Sequence, residues 1–195
     1  MAGLFQKLEF EAFRKGITPR SKESRAWFMN KAKNLNVSRS KLMKEDPIEL
    51  RSRPAVGKMY MYFYDPKHKE TLPYYDRFPL IVMVGPAPKG FMGLNLHYLP
   101  LAIRAKFLDA LMKNTNNNRY DESTKFKLSY SMLKAASKLK EFKPCFKRYL
   151  SKHVRSKLAM VSPPEWEIAT FLPTADFEKS TSSKIYKESR KLIRS

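Results

Sequence analysis

The chain has 195 residues, of which 43% are hydrophobic, and its 39 Lys and Arg against 18 Asp and Glu give a net charge of +21. This composition excludes a disordered chain, and so positive a surface predicts a polyanionic partner: nucleic acid ahead of an acidic protein or an anionic membrane. The single cysteine excludes an internal disulfide and a zinc site built from several cysteines.

Residues 1–56 are predicted to form a basic N-terminal arm that contains two short helices. The first, LFQKLEFEAFRK, repeats apolar residues at helical spacing and ends at Gly16, and the second, SKESRAWFMNKAKNL, starts at a serine cap. Their apolar patches are too small to fold alone, so we expect them to dock on the body or on a neighbouring subunit. The residues predicted to dock are Phe5, Phe13, Trp27 and Phe28.

Residues 57–173 are predicted to be the folded body, which begins with a small antiparallel sheet. The run KMYMYFY alternates strictly, with methionines and Phe63 on one face and tyrosines on the other, as in a strand. The sequence then predicts a buried strand at PLIVMVG, a turn at GPAPKG and a third strand at FMGLNLHYL.

After Pro100 the apolar period becomes helical, first in LAIRAKFLDALMK. Asp121 is placed to cap a second helix over residues 122–140. The predicted core face of that helix is Phe126, Tyr130, Leu133 and Ala136. Ser162 and Glu165 have capping-box spacing and predict a short helix that ends before Pro173.

Residues 174–195 form a basic C-terminal tail. The predicted fold class is therefore α+β: a small antiparallel sheet followed by three or four packed helices, with basic extended termini.

Residues 125–157 carry 11 Lys and Arg and one acid, Glu141. The stretch FKPCFKRYLSKHVRSKLAM predicts a helix with Pro144 in its first turn. Its proposed apolar stripe is Phe146, Leu150, Val154 and Leu158, spaced by four. A solvated helix face explains so few acids poorly, because neighbouring like charges destabilise a helix. The segment therefore predicts anion binding.

If the anion is DNA, the contacts should go to phosphates, which position a protein without reading sequence. No recognition-helix, zinc-finger or aromatic RNA-binding motif is visible, so binding is expected to be non-specific. The residues predicted to bind phosphate are Lys134, Lys138, Lys140, Lys143, Lys147, Arg148, Lys152 and Arg155.

The sequence shows no residue pattern that is typical of a catalytic site. The three histidines are far apart, and Cys145, beside Phe146, reads as a packed thiol. A nuclease would need carboxylates near a lysine, but the acids around Asp65 and Asp76 match no nuclease spacing. Asp65 is expected to form a turn and Asp76 a local pair with Arg77. We therefore predict a non-enzymatic protein with no catalytic residue, cofactor or metal site.

The runs GKMYMYFYDPKHKETLPYYDRFPLIVMVGPAPKGFMGLNLHYLP, NNNRYDESTKFKLSYSMLKAASKLKEFKPCFKRYLSKHVRS and PPEWEIATFLPT resemble a family from large contractile-tailed bacteriophages. The resemblance covers residues 20–175 and is to virion proteins of the DNA end protector kind. It implies a protein carried on the terminus of the packaged genome, near the portal or neck. The resemblance implies no catalytic residue. The residues from Tyr74 to Phe78 are expected either to support the core or to contact a partner.

A structural tail or baseplate component is the alternative. Its basic arms would thread between acidic virion subunits, and the charge would serve assembly. Either function places the protein in the virion, and in the host cytoplasm during assembly, with DNA or other virion proteins as partners. No membrane partner is expected, because no apolar run approaches the ~20 residues that span a bilayer.

Overall fold

The computed structural model describes residues 3–45, 48–115 and 117–194, leaving out the side chains at 115, 126, 141 and 192–194. Its centre is a six-stranded antiparallel sheet in the order β1-β7-β2-β4-β5-β6, and β3 pairs with β8 in a second, two-stranded sheet. The strands are β1 (Glu49–Arg51), β2 (Met59–Met61), β3 (Tyr75–Asp76), β4 (Leu80–Ala87), β5 (Gly90–Asn95), β6 (Phe146–Leu150), β7 (Leu158–Val161) and β8 (Phe177–Glu178).

The described part of the chain contains seven α-helices besides these antiparallel strands, so the predicted α+β class is confirmed. They are α1 (Leu4–Arg14), α2 (Lys22–Ala32), α3 (Arg39–Leu42), α4 (Leu101–Thr115), α5 (Glu122–Ala136), α6 (Trp166–Phe171) and α7 (Ser182–Arg194). Short 3₁₀ helices cover Leu96–Tyr98, Lys140–Cys145, Ser151–His153 and Pro163–Glu165. None of these described helices combines the length and apolar character needed to cross a membrane.

The two faces of the main sheet carry separate clusters of buried side chains. Met59 and Met61 join a large core that includes residues of every helix from α1 to α7. Tyr60, Tyr62 and Tyr64 lie in a smaller cluster with Ile81, Met83, Phe91, Tyr149 and Leu158. The predicted alternation of KMYMYFY is thus confirmed, because successive side chains of an extended chain point to opposite faces.

The predicted strands and helix caps form, with two corrections: Gly85 to Ala87 of the predicted turn belong to β4, and the predicted third strand ends at Asn95, before a 3₁₀ helix. β4 and β5 form a hairpin joined at Pro88 and Lys89. The Asp121 carboxylate accepts a hydrogen bond of 2.6 Å from the Thr124 amide, which confirms the cap of α5. The Glu165 carboxylate accepts a bond of 3.2 Å from the Ser162 amide, the predicted capping box ahead of α6.

The predicted core face of α5 needs one correction. Leu133 and Ala136 are buried, as expected, but the Tyr130 residue is 41% exposed. Tyr130 therefore lies at the margin of the helix's buried face. The Phe126 side chain lies outside the described residues.

The predicted helix over residues 142–160 is wrong. Pro144 lies inside a 3₁₀ helix, and the chain then forms β6, a second 3₁₀ turn and β7. The proposed stripe is divided between the clusters: Phe146 packs on the large core, whereas Val154 and Leu158 belong to the smaller one. β7 pairs with both β1 and β2, so tertiary pairing overrides the apparent helical period.

The expectation of extended termini is also corrected. Most of the first 42 residues are helical, and α7 occupies most of the tail, with Ile185 fully buried. Side chains from the N-terminal region, the body and the tail join one core cluster, and β1 pairs with β7. The division of the chain after residues 56 and 173 stays a prediction.

Candidate nucleic-acid interface

The edge strand β6 carries two of the predicted phosphate-binding residues. It pairs with β5, placing Tyr149 opposite Phe91 and Lys147 opposite Gly93. Because side chains alternate along a strand, Lys147 and Tyr149 leave β6 on one face and Arg148 on the other, so the two cations can share a site only around the open edge of this strand. The predicted helical face, with Lys147 and Arg148 side by side, is therefore not what the structure shows.

Close approach between β5 and β6 depends on Gly90. A Cβ atom at this position would lie 1.8 Å from the carbonyl oxygen of Tyr149, far inside van der Waals contact. Glycine is required here because backbone atoms, not a movable side chain, occupy the space. Gly90 thus permits the close pairing of β5 with β6, the strand that carries Lys147 and Tyr149.

A cavity of about 160 Å³ opens beside β6, and half of its lining residues are tyrosines. We call it the tyrosine pocket; its aromatic residues are Tyr64, Tyr74, Tyr75, Tyr98 and Tyr149. Lys147 and Arg148 also line it. Tyr74 and Tyr98 approach with ring centroids 6.1 Å apart, and Tyr64 meets Tyr149 edge to face at 5.0 Å. The pocket therefore combines aromatic surface with two cationic side chains.

The ammonium of Lys147 lies over an aromatic ring. Its Nζ atom is 4.3 Å from the centroid of Tyr98, which is cation–π distance. Among the described side chains, no carboxylate forms an ion pair with it. Burial lowers the pKa of Lys147, while nearby Cys145 partly opposes that change. A half-buried cation without a carboxylate is well placed to receive an external anion.

A buried polar network supports the wall of the pocket at Asp76. Its Oδ2 atom lies 2.7 Å from Nδ1 of His97 and 3.0 Å from Nδ2 of Asn95. Its Oδ1 atom accepts from the backbone amides of Phe78 and Asp176, at 3.0 and 3.2 Å. All these groups stabilise the carboxylate, so the network holds Asp76 in place and uses both of its oxygens.

The ionisation of this network follows from burial and pairing. Burial alone would raise the pKa of Asp76, but His97, Asn95 and the Asp176 amide lower it below its ordinary value. Burial lowers the pKa of His97, against the opposing effect of Asp76. The arrangement is therefore an Asp76 carboxylate and a neutral His97 that donates from Nδ1 and accepts at Nε2 from Thr174, 3.1 Å away.

The predicted pair of Asp76 with Arg77 is wrong, because Arg77 reaches residues of the C-terminal region. Its Nε atom lies 3.2 Å from Asp176, and its Nη1 atom contacts Glu178. Asp65 accepts from Lys69 at 3.1 Å and from Arg155 at 3.2 Å. Within the described ranges, no group of three His, Cys, Asp or Glu residues could hold a metal ion.

The remaining cations predicted to bind phosphate are largely exposed. The exposed residues of this set are Lys134, Lys138, Lys140, Lys143, Arg148, Lys152 and Arg155. Only Arg155 has an ion-pair partner among the described carboxylates, namely Asp65. Lys140 and Lys143 lie in the 3₁₀ helix before β6, Lys152 in the one after it, and Lys134 in α5.

A second cavity, of about 370 Å³, is lined by Arg155 and by two other cationic residues. These two are not among the residues predicted to bind phosphate. They are Arg53 and Lys157, and the hydroxyl-bearing residues Ser52, Ser151 and Ser156 line the same cavity. Arg53 follows β1, and its proximity to Arg155 arises only from the pairing of β1 with β7. The sequence gives no local signal for this juxtaposition.

The four residues predicted to dock occupy different environments. Phe5 and Phe28 are buried in the chain's own core, with 3% and 6% exposed, whereas Phe13 is 78% exposed. Trp27 packs partly against that core and meets Phe28 edge to face at 5.0 Å. A role for Phe13 and Trp27 toward a partner stays a prediction.

Comparison with known proteins gives one family. The chain matches the family model described as phage T4 terminal DNA protecting protein over residues 6–193. No curated protein and no solved structure gave a significant match.

Proposed function

The chain belongs to the phage T4 terminal DNA protecting protein family, and we propose that it binds the ends of phage DNA without catalysing a reaction. Binding would be non-specific and directed at phosphates. The protein would remain on the packaged genome's terminus in the virion, near the portal or neck. Protection would then be steric, because an exonuclease cannot engage a strand end that another protein covers.

The exposed cations on the segments that precede and follow β6 carry this proposal. Lys138, Lys140, Lys143 and Lys152 are exposed and form no ion pair with a described carboxylate. Such side chains repel one another in the free protein, and phosphates relieve that repulsion while releasing counterions from DNA. Their proposed role is phosphate neutralisation.

The direct test is DNA binding as a function of salt. Linear duplex DNA should bind at low salt, and log K should fall linearly with log salt, by about 0.9 per phosphate neutralised. Replacing Lys138, Lys140, Lys143 and Lys152 by Gln should reduce both affinity and slope. The matched control replaces four exposed lysines of the N-terminal region: Lys7, Lys22, Lys41 and Lys44.

Equal losses in the two quadruple variants would show that net charge, not the surface around β6, drives binding. A second measurement follows digestion of linear DNA by an exonuclease. Saturating protein should block digestion, and the quadruple variant of the β6 region should fail to block it. Magnesium-dependent nicking by the protein itself would contradict the non-enzymatic proposal.

Exposed aromatic residues on α1 favour a second candidate, an assembly role among virion proteins. Phe10 and Phe13 are 61% and 78% exposed, and Phe13 borders a cavity of about 330 Å³. A tail or baseplate subunit could cover these rings. Absence of DNA binding at low salt, together with purified virion subunits that bind through α1, would favour this candidate.

A further inference from the structure

We propose that the tyrosine pocket takes the terminal nucleotide of a DNA strand, with its base stacked on tyrosine and its phosphate bound by Lys147 and Arg148. This inference rests on the proposed function and deepens it, because it assigns the strand end itself to one cavity. The remaining exposed lysines would bind the adjoining phosphates.

The pocket has the two chemical features that recognise a nucleotide without reading its sequence. Tyr74 and Tyr75 are half-buried, so parts of both side chains remain accessible, and Tyr98 and Tyr149 form deeper wall. Every base has a π face, so stacking on tyrosine tolerates any sequence. Both carboxylate oxygens of Asp76 are engaged in the buried network, so this residue does not compete with a phosphate for Lys147 or Arg148.

Lys147 supplies a positive charge to the tyrosine pocket. Its ammonium is held at the Tyr98 ring, 4.3 Å from the centroid, and no described carboxylate neutralises it. Arg148 borders the same cavity and is exposed. A phosphate beside these two groups would be neutralised while its base enters among the tyrosines, as in single-strand binding grooves.

The size of the cavity favours binding of a terminal nucleotide of DNA over binding of an internal one. About 160 Å³ suits one base and excludes a duplex. An internal base is paired and stacked on both sides, so entry would require it to be flipped from the helix at substantial cost. A terminal base has only one stacking neighbour and frays, so it enters the pocket at lower cost.

The first experiment compares DNA with and without ends. A relaxed, covalently closed circle and the same circle cut once are titrated with the full chain under identical salt. The cut DNA should be bound with an additional, high-affinity event that is about tenfold tighter, the scale of one stacked base. Equal binding of the two forms overturns this inference but leaves general DNA binding intact. No binding of either form at low salt overturns the proposed function and this inference together.

Variants separate the pocket from general electrostatics. Lys147→Gln should abolish the preference for cut DNA, whereas Lys44→Gln, with the same change in charge at an exposed lysine outside the pocket lining, should retain it. Tyr75→Ala should weaken end binding by about tenfold, and Tyr120→Ala, at an exposed tyrosine, should not. Thermal unfolding of each variant verifies that it is folded. Equal effects of Lys147→Gln and Lys44→Gln would overturn the assignment.

Photocrosslinking locates the strand end without any substitution in the protein. DNA carrying 5-iodo-2′-deoxyuridine at its terminal position should crosslink to Tyr74, Tyr75 or Tyr149, and an internal label should not. Crosslinks confined to tyrosines outside the pocket overturn the inference. The last experiment adds deoxythymidine monophosphate as a competitor of DNA ends for the protein, and we expect it to compete much more weakly than a DNA end. If it competes as strongly, the pocket is a site for free nucleotides and the inference fails.

Discussion

Nδ1 of His97 lies 2.7 Å from Oδ2 of Asp76, and both residues are buried. His97 lies just after the end of β5, whereas Asp76 belongs to β3, so their contact joins the main sheet to the two-stranded sheet. Thr174 completes the link through Nε2 of His97. The pair thereby connects the pocket wall to the segment that leads into α7.

His97→Ala should destabilise the protein by about 3 kcal/mol, because it leaves a buried carboxylate without its principal partner. The free energy of unfolding in urea measures this loss. His68→Ala is the matched control: His68 is exposed, so the change should stay within about 0.5 kcal/mol. Equal stability of the two variants would show that the Asp76–His97 contact contributes little.

Stability should fall on acidification below about pH 6.5, the ordinary pKa of histidine. The folded pKa of His97 is lowered, chiefly by burial, so the unfolded chain binds the proton more readily. The contribution is complete above the unfolded pKa and is lost as pH falls toward the folded one. Asp76, whose folded pKa is also lowered, adds a further loss at more acidic pH. Urea unfolding of wild type and His97→Asn should show the steeper dependence between pH 7 and about pH 5 only in the wild type.

Gly90→Ala should destabilise the β5–β6 pair by about 2 kcal/mol or more, since the new Cβ meets the backbone of Tyr149. Chemical denaturation measures the loss, and end binding should weaken with it. Gly85→Ala is a control in the same hairpin. No atom among those described lies within 4 Å of its Cβ position, so it should be nearly neutral.

Lys179→Met should loosen the loop that leads into the tyrosine pocket. The Lys179 ammonium donates to three carbonyl oxygens, those of Lys69 at 2.7 Å, Glu70 at 2.9 Å and Leu72 at 3.2 Å. Without these bonds, amide hydrogen exchange over residues 68–74 should accelerate. Lys184→Met, at an exposed position on α7, should leave that exchange unchanged.

The parts of the fold that the sequence predicts correctly are those with local signals. The alternation around Tyr60, the cap at Asp121 and the capping box at Ser162 each require only neighbouring residues. The wrong prediction of a helix over residues 142–160 has a geometric cause. A spacing of four suits a helix, but four is also a multiple of the strand period of two, so Phe146 and Leu150 fit either structure.

The candidate site was only partly predictable. The basic character of residues 138–155 is visible in composition, but the tyrosine pocket brings together side chains as distant in sequence as Tyr64 and Tyr149. The pairing of β5 with β6 and the docking of β3 create this proximity. No periodicity in the chain encodes it, so only the tertiary structure reveals the pocket.

The position of β7 between β1 and β2 has a consequence for synthesis. Residues 49–51 and 59–61 are translated early, yet the strand that joins them ends at Val161. The sheet cannot close until that segment has left the ribosome, so a nascent chain exposes unpaired strand edges over the synthesis of about a hundred residues. Folding should therefore be slow, because contacts distant in sequence must form before the core is sealed.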